Sequence, residues 1–264
     1  VERAFTVDAE GSFVHSGGTV TLDGDQDEEQ GLGSAGSALN NLTVAGVGEW
    51  SLVQGDLVLE GDFTQSGGLI NASAATLDVG GAFTLQSNAA FDAPGGGQSL
   101  KVRGEWNAAP EAAFNPNYGL VELIDGGSST NTITHGPGEF YKLRVAGPSA
   151  QWTLATSVTA RMIEMGGGTL DLGAGNEHTV TMLTGSGGTL DFQSSTLLSD
   201  GNLYLYGLDA IDPGTGEIEL GCDAWTTFVP HPVATLPRIR KTGAGLTELA
   251  MHPLRCDGIV ITAG

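Results

Sequence analysis

Gly167-Gly168-Thr169-Leu170-Asp171-Leu172 returns twenty positions later as Gly187-Gly188-Thr189-Leu190-Asp191-Phe192. In each copy two glycines precede an apolar–polar–apolar alternation. The alternation buries one face of a strand and wets the other. Glycine admits the positive φ that a sharp corner demands. A strand with its own corner, repeated every twenty residues, is the size of one solenoid coil. Gly67-Gly68-Leu69-Ile70 is a weaker version of the same unit.

The pattern extends in both directions. Val20-Thr21-Leu22, Leu57-Val58-Leu59, Phe83-Thr84-Leu85, Leu100-Lys101-Val102 and Val121-Glu122-Leu123 alternate in the same way. Turn signals separate them at Gly17-Gly18, Gly80-Gly81 and Gly95-Gly96-Gly97. The alanine-rich patches at 72–75 and 108–113 are short, and Pro110 interrupts the second, so no significant helix is expected. Inserted loops are expected at Asp23–Ser37, Gly126–Gly138 and Asp209–Gly216. The fold class read from this is all-β, a β-solenoid (β-helix) of ten or more coils. A pair of β-sandwiches is the rival, because it also gives short alternating strands. The recurring Gly-Gly-x-Leu unit favours the solenoid.

A longer period runs through the chain. Leu42-Thr43-Val44-Ala45-Gly46 returns as Leu143-Arg144-Val145-Ala146-Gly147, 101 positions on, and Val20-Thr21-Leu22 returns as Val121-Glu122-Leu123 at the same offset. Phe13 matches Phe114, and Trp50 matches Trp152, which points to packing roles. The reading is one elongated domain over 1–264. It holds superrepeats at about 5–105 and 106–205 and a degraded third at 206–264, the copies superposing along one axis.

Of 264 residues 42 are glycine, more than twice the usual ~7%. The net charge is −21, which repels nucleic acid and anionic membranes. Residues 1–100 hold 14 acids and one base, whereas residues 201–264 hold seven acids and four bases, Arg238, Arg240 and Lys241 among them. No apolar run is long enough to span a membrane. The chain opens on Val1 without a basic-then-apolar leader, which fits a processed secreted segment. Two cysteines, Cys222 and Cys256, read either as one disulfide in an oxidising compartment or as two buried thiols. A disulfide there would contribute roughly 3–4 kcal/mol by closing a loop in the least regular copy.

Gly18-Thr19-Val20-Thr21-Leu22-Asp23-Gly24, a loop, and then Leu39-Asn40-Asn41-Leu42-Thr43-Val44 resembles the repeats of large secreted bacterial surface proteins, the β-helical autotransporter passengers and filamentous adhesins. The resemblance covers residues 5–205 and fades beyond them. It implies a solenoid fold, an extracellular place and an adhesive or scaffolding role. It carries over no catalytic residue.

Candidate chemistry is sparse. Compared with polygalacturonase-type β-helices, the chain has no Asn-Thr-Asp, no Asp-Asp pair and no intact Gly-His-Gly. Thr134-His135-Gly136 lacks the first glycine. Asp171 and Asp191 could meet across coils, either as paired carboxylates or as outward, solvated acids. His15, His135, His178, His231 and His252 show no metal-ligand spacing and are expected in turns or at the surface. Asp23, Asp25 and Asp27 alternate as calcium ligands do, and the stretch reads either as a calcium loop or as a solvated acidic loop. Tyr204 and Tyr206 share one strand face, as a sugar ledge or as a coil cover.

Two functional classes follow. The first is a non-enzymatic extracellular structural or adhesive subunit of a fibre, stalk or layer. It self-associates end to end through edge strands containing Phe5, Val7, Ile259 and Ile261, steered by Arg238, Arg240 and Lys241. The second is a β-helix that binds or cleaves a surface polysaccharide, as phage tailspikes do.

Overall fold

The computed structural model describes residues 4–7, 11–24, 29–53, 55–124, 127, 130–136 and 138–262. The fold is all-β, a β-solenoid of about 11 turns, with no helix among the described residues. The registered strand pairs are parallel, including Leu42↔Phe63, Phe83↔Phe63 and Leu170↔Leu190. That excludes the β-sandwich, which is built from antiparallel hairpins. By contacts the chain forms two units, Val1–Gly126 with Thr134–Tyr141, and Gly127–Ile133 with Lys142–Gly264.

In the first unit each coil contributes three short strands. One stack runs Gln30–Gly33, Glu49–Leu52, Leu69–Asn71, Ala90–Asp92 and Ala113–Asn115, with Phe5–Thr6 on its edge. A second holds Leu57–Leu59, Leu77–Val79, Ser99–Val102 and Leu120–Ile124. A third holds Thr19–Leu22, Asn41–Val44, Phe63–Gln65, Phe83–Leu85 and Trp106–Ala108. Alternation decides what faces inward. On the third stack Leu42, Phe63, Phe83 and Trp106 are buried, while Thr21, Thr43, Thr64, Thr84 and Asn107 form the outward file between them. Phe63 stacks on Phe83 with centroids 5.0 Å apart, and Phe83 on Trp106 at 4.6 Å. Phe91 stands edge-on to Phe83 at 5.1 Å. The interior is therefore a column of aromatic plates, each contact worth about 0.5–1.5 kcal/mol beyond its buried area.

This register corrects the reading of the 101-residue period. Leu57, Leu77, Leu100 and Val121 succeed one another in steps of 20, 23 and 21 residues. An offset of 101 is thus about four and two-thirds coils, and moves a segment to another stack. Val20 lies on the third stack and its match Val121 on the second. The similar segments share strand chemistry, and the unit that stacks is the single coil. All three expected loops also contain strands, Gln30–Gly33, Asn131–Thr134 and Ala210–Asp212.

In the second unit the strands run on through the corners. Thr159–Asp171 has 13 residues and Glu177–Asp191 has 15. Their register shifts at Met165/Gly166 and Gly166/Thr169, where the ribbon bends. Gly168 takes φ +68°, and a Cβ there would lie 2.3 Å from the Ala150 carbonyl oxygen. Gly188 takes φ +84°, with Gly168 O 2.8 Å from the same position. Only glycine meets both requirements, which is why the quoted stretch begins as it does. Inward files are aliphatic: Leu170, Leu190 and Ile211 form one, and Ile163, Leu183 and Leu203 another.

Candidate functional site

The C-terminal strands expected to take part in assembly leave part of their apolar files exposed. His178, Leu197, Ile218, Ile239 and Ile259 occupy one inward register file. The first three are 0% exposed and Ile239 is 3% exposed, but Ile259 is 57% exposed. A second file shows the same change, with Phe228 at 1% and its partner Leu249 at 52%. Ile261 is 71% exposed. These positions are apolar because the coil rule places them inside, and exposed because no further described coil covers them. Between them lies an apolar groove of about 280 Å³, with Leu220, Phe228, Ile239 and Leu249 in its wall. The strands Thr247–Leu249 and Ile259–Ile261 pair on one side only among the described residues.

At the other side, Phe5 pairs with Leu32 and the Val7 amide donates to Gly33 O at 2.9 Å. Phe5 sits edge-on to Phe13 at 5.7 Å, and both Phe5 and Val7 are half-buried.

The basic group does not form a free patch. Glu217 faces Arg238 and Glu219 faces Arg240 on paired strands. Arg240 Nε donates to Glu217 Oε1 at 2.5 Å, and its Nη2 lies 2.5 Å from Glu219 Oε2. Arg238 Nε is 3.4 Å from Glu217 Oε2. The hydrogen bond that Arg240 donates to Glu217, with both carboxylates nearby, holds its guanidinium above its ordinary pKa. Lys241 Nζ donates to the Cys222 carbonyl at 3.3 Å and to that of Gly243. Cross-strand pairing, which sequence distance hid, neutralises Arg238 and Arg240 within the unit.

The expected disulfide is also corrected: Cys222 and Cys256 are free, half-buried thiols. Cys222 follows the strand Glu217–Leu220, whereas Cys256 bridges Leu236 ahead of Ile259–Ile261, two coils later. Two coils at ~4.8 Å each already exceed the ~7 Å Cα limit for a disulfide.

Among the described residues no group of three or more His, Cys, Asp or Glu could hold a metal ion. Asp23 is described, but Asp25 and Asp27 lie outside the described residues. Asp171, Asp191 and Asp212 do stack in register. Each accepts a backbone N–H two residues on, from Gly173 at 2.7 Å, Gln193 at 3.0 Å and Gly214 at 3.2 Å. They act as turn caps.

Three of the histidines expected in turns or at the surface are buried: His135, His178 and His231. The Val158 amide donates to His178 Nδ1 at 3.2 Å, so Nε2 carries the proton and donates to Leu172 O at 2.7 Å. His231 repeats this arrangement, accepting from Ala234 N at 2.8 Å and donating to Leu208 O at 3.2 Å. For His178 the arrangement needs the neutral imidazole, which burial favours. His135 stacks on Phe140 at 4.2 Å and accepts from Trp106 Nε1 at 3.2 Å; burial pushes its pKa down to about 4.

Tyr204 is half-buried and Tyr206 47% exposed, without a ring contact between them. The tyrosines in contact are Tyr118 and Tyr141. No sequence motif marks them, because their closeness comes from coil length. No helix of the described residues is long and apolar enough to cross a membrane. Comparison of the chain with protein-family models, curated proteins and solved structures finds no match.

Proposed function

We propose that the chain is a structural, adhesive solenoid segment of an extracellular assembly, joined to a second copy through its edge strands. The observation that carries this is the exposure of Ile259 and Leu249 on files otherwise buried. An incoming parallel strand with apolar residues at alternate positions would satisfy both the open backbone edge and the apolar groove. Phe5-Thr6-Val7, itself an edge segment, has that pattern. The joint is heterologous, so it propagates unless rotation closes a ring. With Arg238 and Arg240 committed to Glu217 and Glu219, its free energy comes from apolar burial and backbone pairing. The acidity of the chain and its resemblance to secreted surface repeats support the extracellular placement.

Sedimentation velocity tests the joint. The native chain should show concentration-dependent oligomers. Ile259→Lys with Ile261→Lys should leave a folded monomer. A native chain that stays monomeric at about 100 µM, well above typical cellular levels, would end the proposal.

A further inference from the structure

One corner of the first unit is made twice, with opposite chemistry. Ser99 pairs with Leu120, and two positions before them come Gly97 and Tyr118. The earlier coil turns on Gly96 at φ +60° and Gly97 at φ +106°. The next coil turns on Asn117 at φ +44° and Tyr118 at φ +57°. Glycine takes the left-handed region without steric penalty; an aromatic residue rarely enters it. The later corner holds Tyr118 there by its neighbours. Asn115 Oδ1 accepts from the Asn117 amide at 3.2 Å, Asn117 Nδ2 donates to Ala93 O at 3.3 Å, and the Gly119 amide donates to Pro116 O at 2.7 Å. Strain maintained in this way presents a side chain outward.

Tyr118 is 75% exposed, yet its ring is positioned. Tyr141, one coil on, meets it edge to face, with centroids 5.2 Å apart and planes at 75°. In the preceding coil, a Cβ on Gly97 would find no atom within 4 Å, so that corner is itself open. Polar groups flank the corner. Asn71, Asp92 and Asn115 share an outward file, and Asn115 Nδ2 donates to Asp92 Oδ1 at 2.9 Å.

We propose that Tyr118 and Tyr141 form a platform for a neutral saccharide. A fixed, exposed ring offers its face to the C–H side of a pyranose, and the amide and carboxylate file offers partners to the hydroxyls. The net charge of −21 disfavours uronates, sulfated sugars and nucleic acid.

Native gel electrophoresis through dissolved dextran, mannan or mixed-linkage β-glucan, with alginate as the acidic comparison, tests this. At least one neutral polymer should retard the native chain, and alginate should not. Tyr118→Phe should bind within about threefold of the native chain, and Tyr118→Ala should lose at least about tenfold. Tyr118→Gly separates ligand binding from structure: it should raise Tm, by relieving the backbone, and abolish retardation. Retardation by no neutral polymer, or equal retardation of Tyr118→Gly, overturns the proposal. So does a Tyr118→Gly variant whose self-association changes while its retardation does not, since the ring would then be a protein contact. Because the Ile259→Lys with Ile261→Lys chain should bind as the native one does, the platform and the joint fail separately.

Discussion

Between Phe63 and Phe114 the solenoid interior is filled with rings, whereas between Ile163 and Ile218 Phe192 is the only buried phenylalanine, tyrosine or tryptophan side chain. The backbones differ in parallel. The aromatic region uses three- and four-residue strands and coil steps of 20 to 23 residues. The aliphatic region uses strands of 13 and 15 residues, and its coil steps range from 19 residues, His178 to Leu197, to 25, Leu203 to Phe228. Coil length therefore varies in both regions, whichever side chains fill the core. A ribbon that stays hydrogen-bonded through its corners absorbs an added residue only as a bulge. Strand length and core chemistry thus change together between the two regions.

The sharpest test of that contrast is Trp106→Ala against Leu190→Ala. Trp106 touches Phe83, Phe114 and Phe140 at centroid distances of 4.6, 5.3 and 5.2 Å. Its truncation should cost ~3–5 kcal/mol, and that of Leu190 ~2–3 kcal/mol. Hydrogen exchange of strand amides would resolve the loss in each unit, and a larger loss at Leu190 would break the comparison. Acidification should come next in size. His135 titrates near 6.5 when unfolded and at about 4 when folded, so between these values the unfolded chain binds more protons. Stability is full above about pH 6.5 and declines as pH falls towards 4, by on the order of 3 kcal/mol. His135→Phe should flatten that decline in the first unit, as read by urea midpoints at about pH 7 and pH 4.5. The second unit should keep its own decline, because burial lowers His178 too, although its bond to the Leu172 carbonyl opposes the shift.

Glycine replacements separate the corners. Gly55 has φ +92° and open space around its Cβ position, so Gly55→Ala should cost about 1 kcal/mol from strain alone. Gly188→Ala must also displace the Gly168 carbonyl and should cost about 2 kcal/mol or more in a thermal melt. The smallest effect should be Arg240→Gln, under about 1 kcal/mol and weaker still in high salt. A large, salt-independent loss would mean the charge ladder sustains the aliphatic region.

The alternation in segments such as Leu170-Asp171-Leu172 was enough to read the strands, the solenoid and the twenty-residue coil. It could not give the phase around the coil, because Val20-Thr21-Leu22 and Val121-Glu122-Leu123 are equally good strands for any stack. Without that phase the partners of Arg240, the distance from Cys222 to Cys256 and the contact of Tyr118 with Tyr141 stay hidden. Each depends on which residues lie one or two coils apart. The buried histidines were missed for another reason. A single imidazole bridging an amide and a carbonyl, as His178 does, has no spacing to detect. Once the coil step is known, the 23-residue separation of Tyr118 and Tyr141 is the signal that would have found them.

The steps of 20, 23 and 21 residues from Leu57 to Val121 also have a mechanical meaning. Each coil is held only to its neighbours, through hydrogen bonds that run along the stack. Tension on the chain therefore loads the outermost coil while the next stays shielded. Under force such a stack unwinds like thread from a spool, each coil releasing about 70 Å of contour at ~3.4 Å per residue. Segments of this kind extend under load in small repeated increments, and each increment can rewind on the coil beneath it.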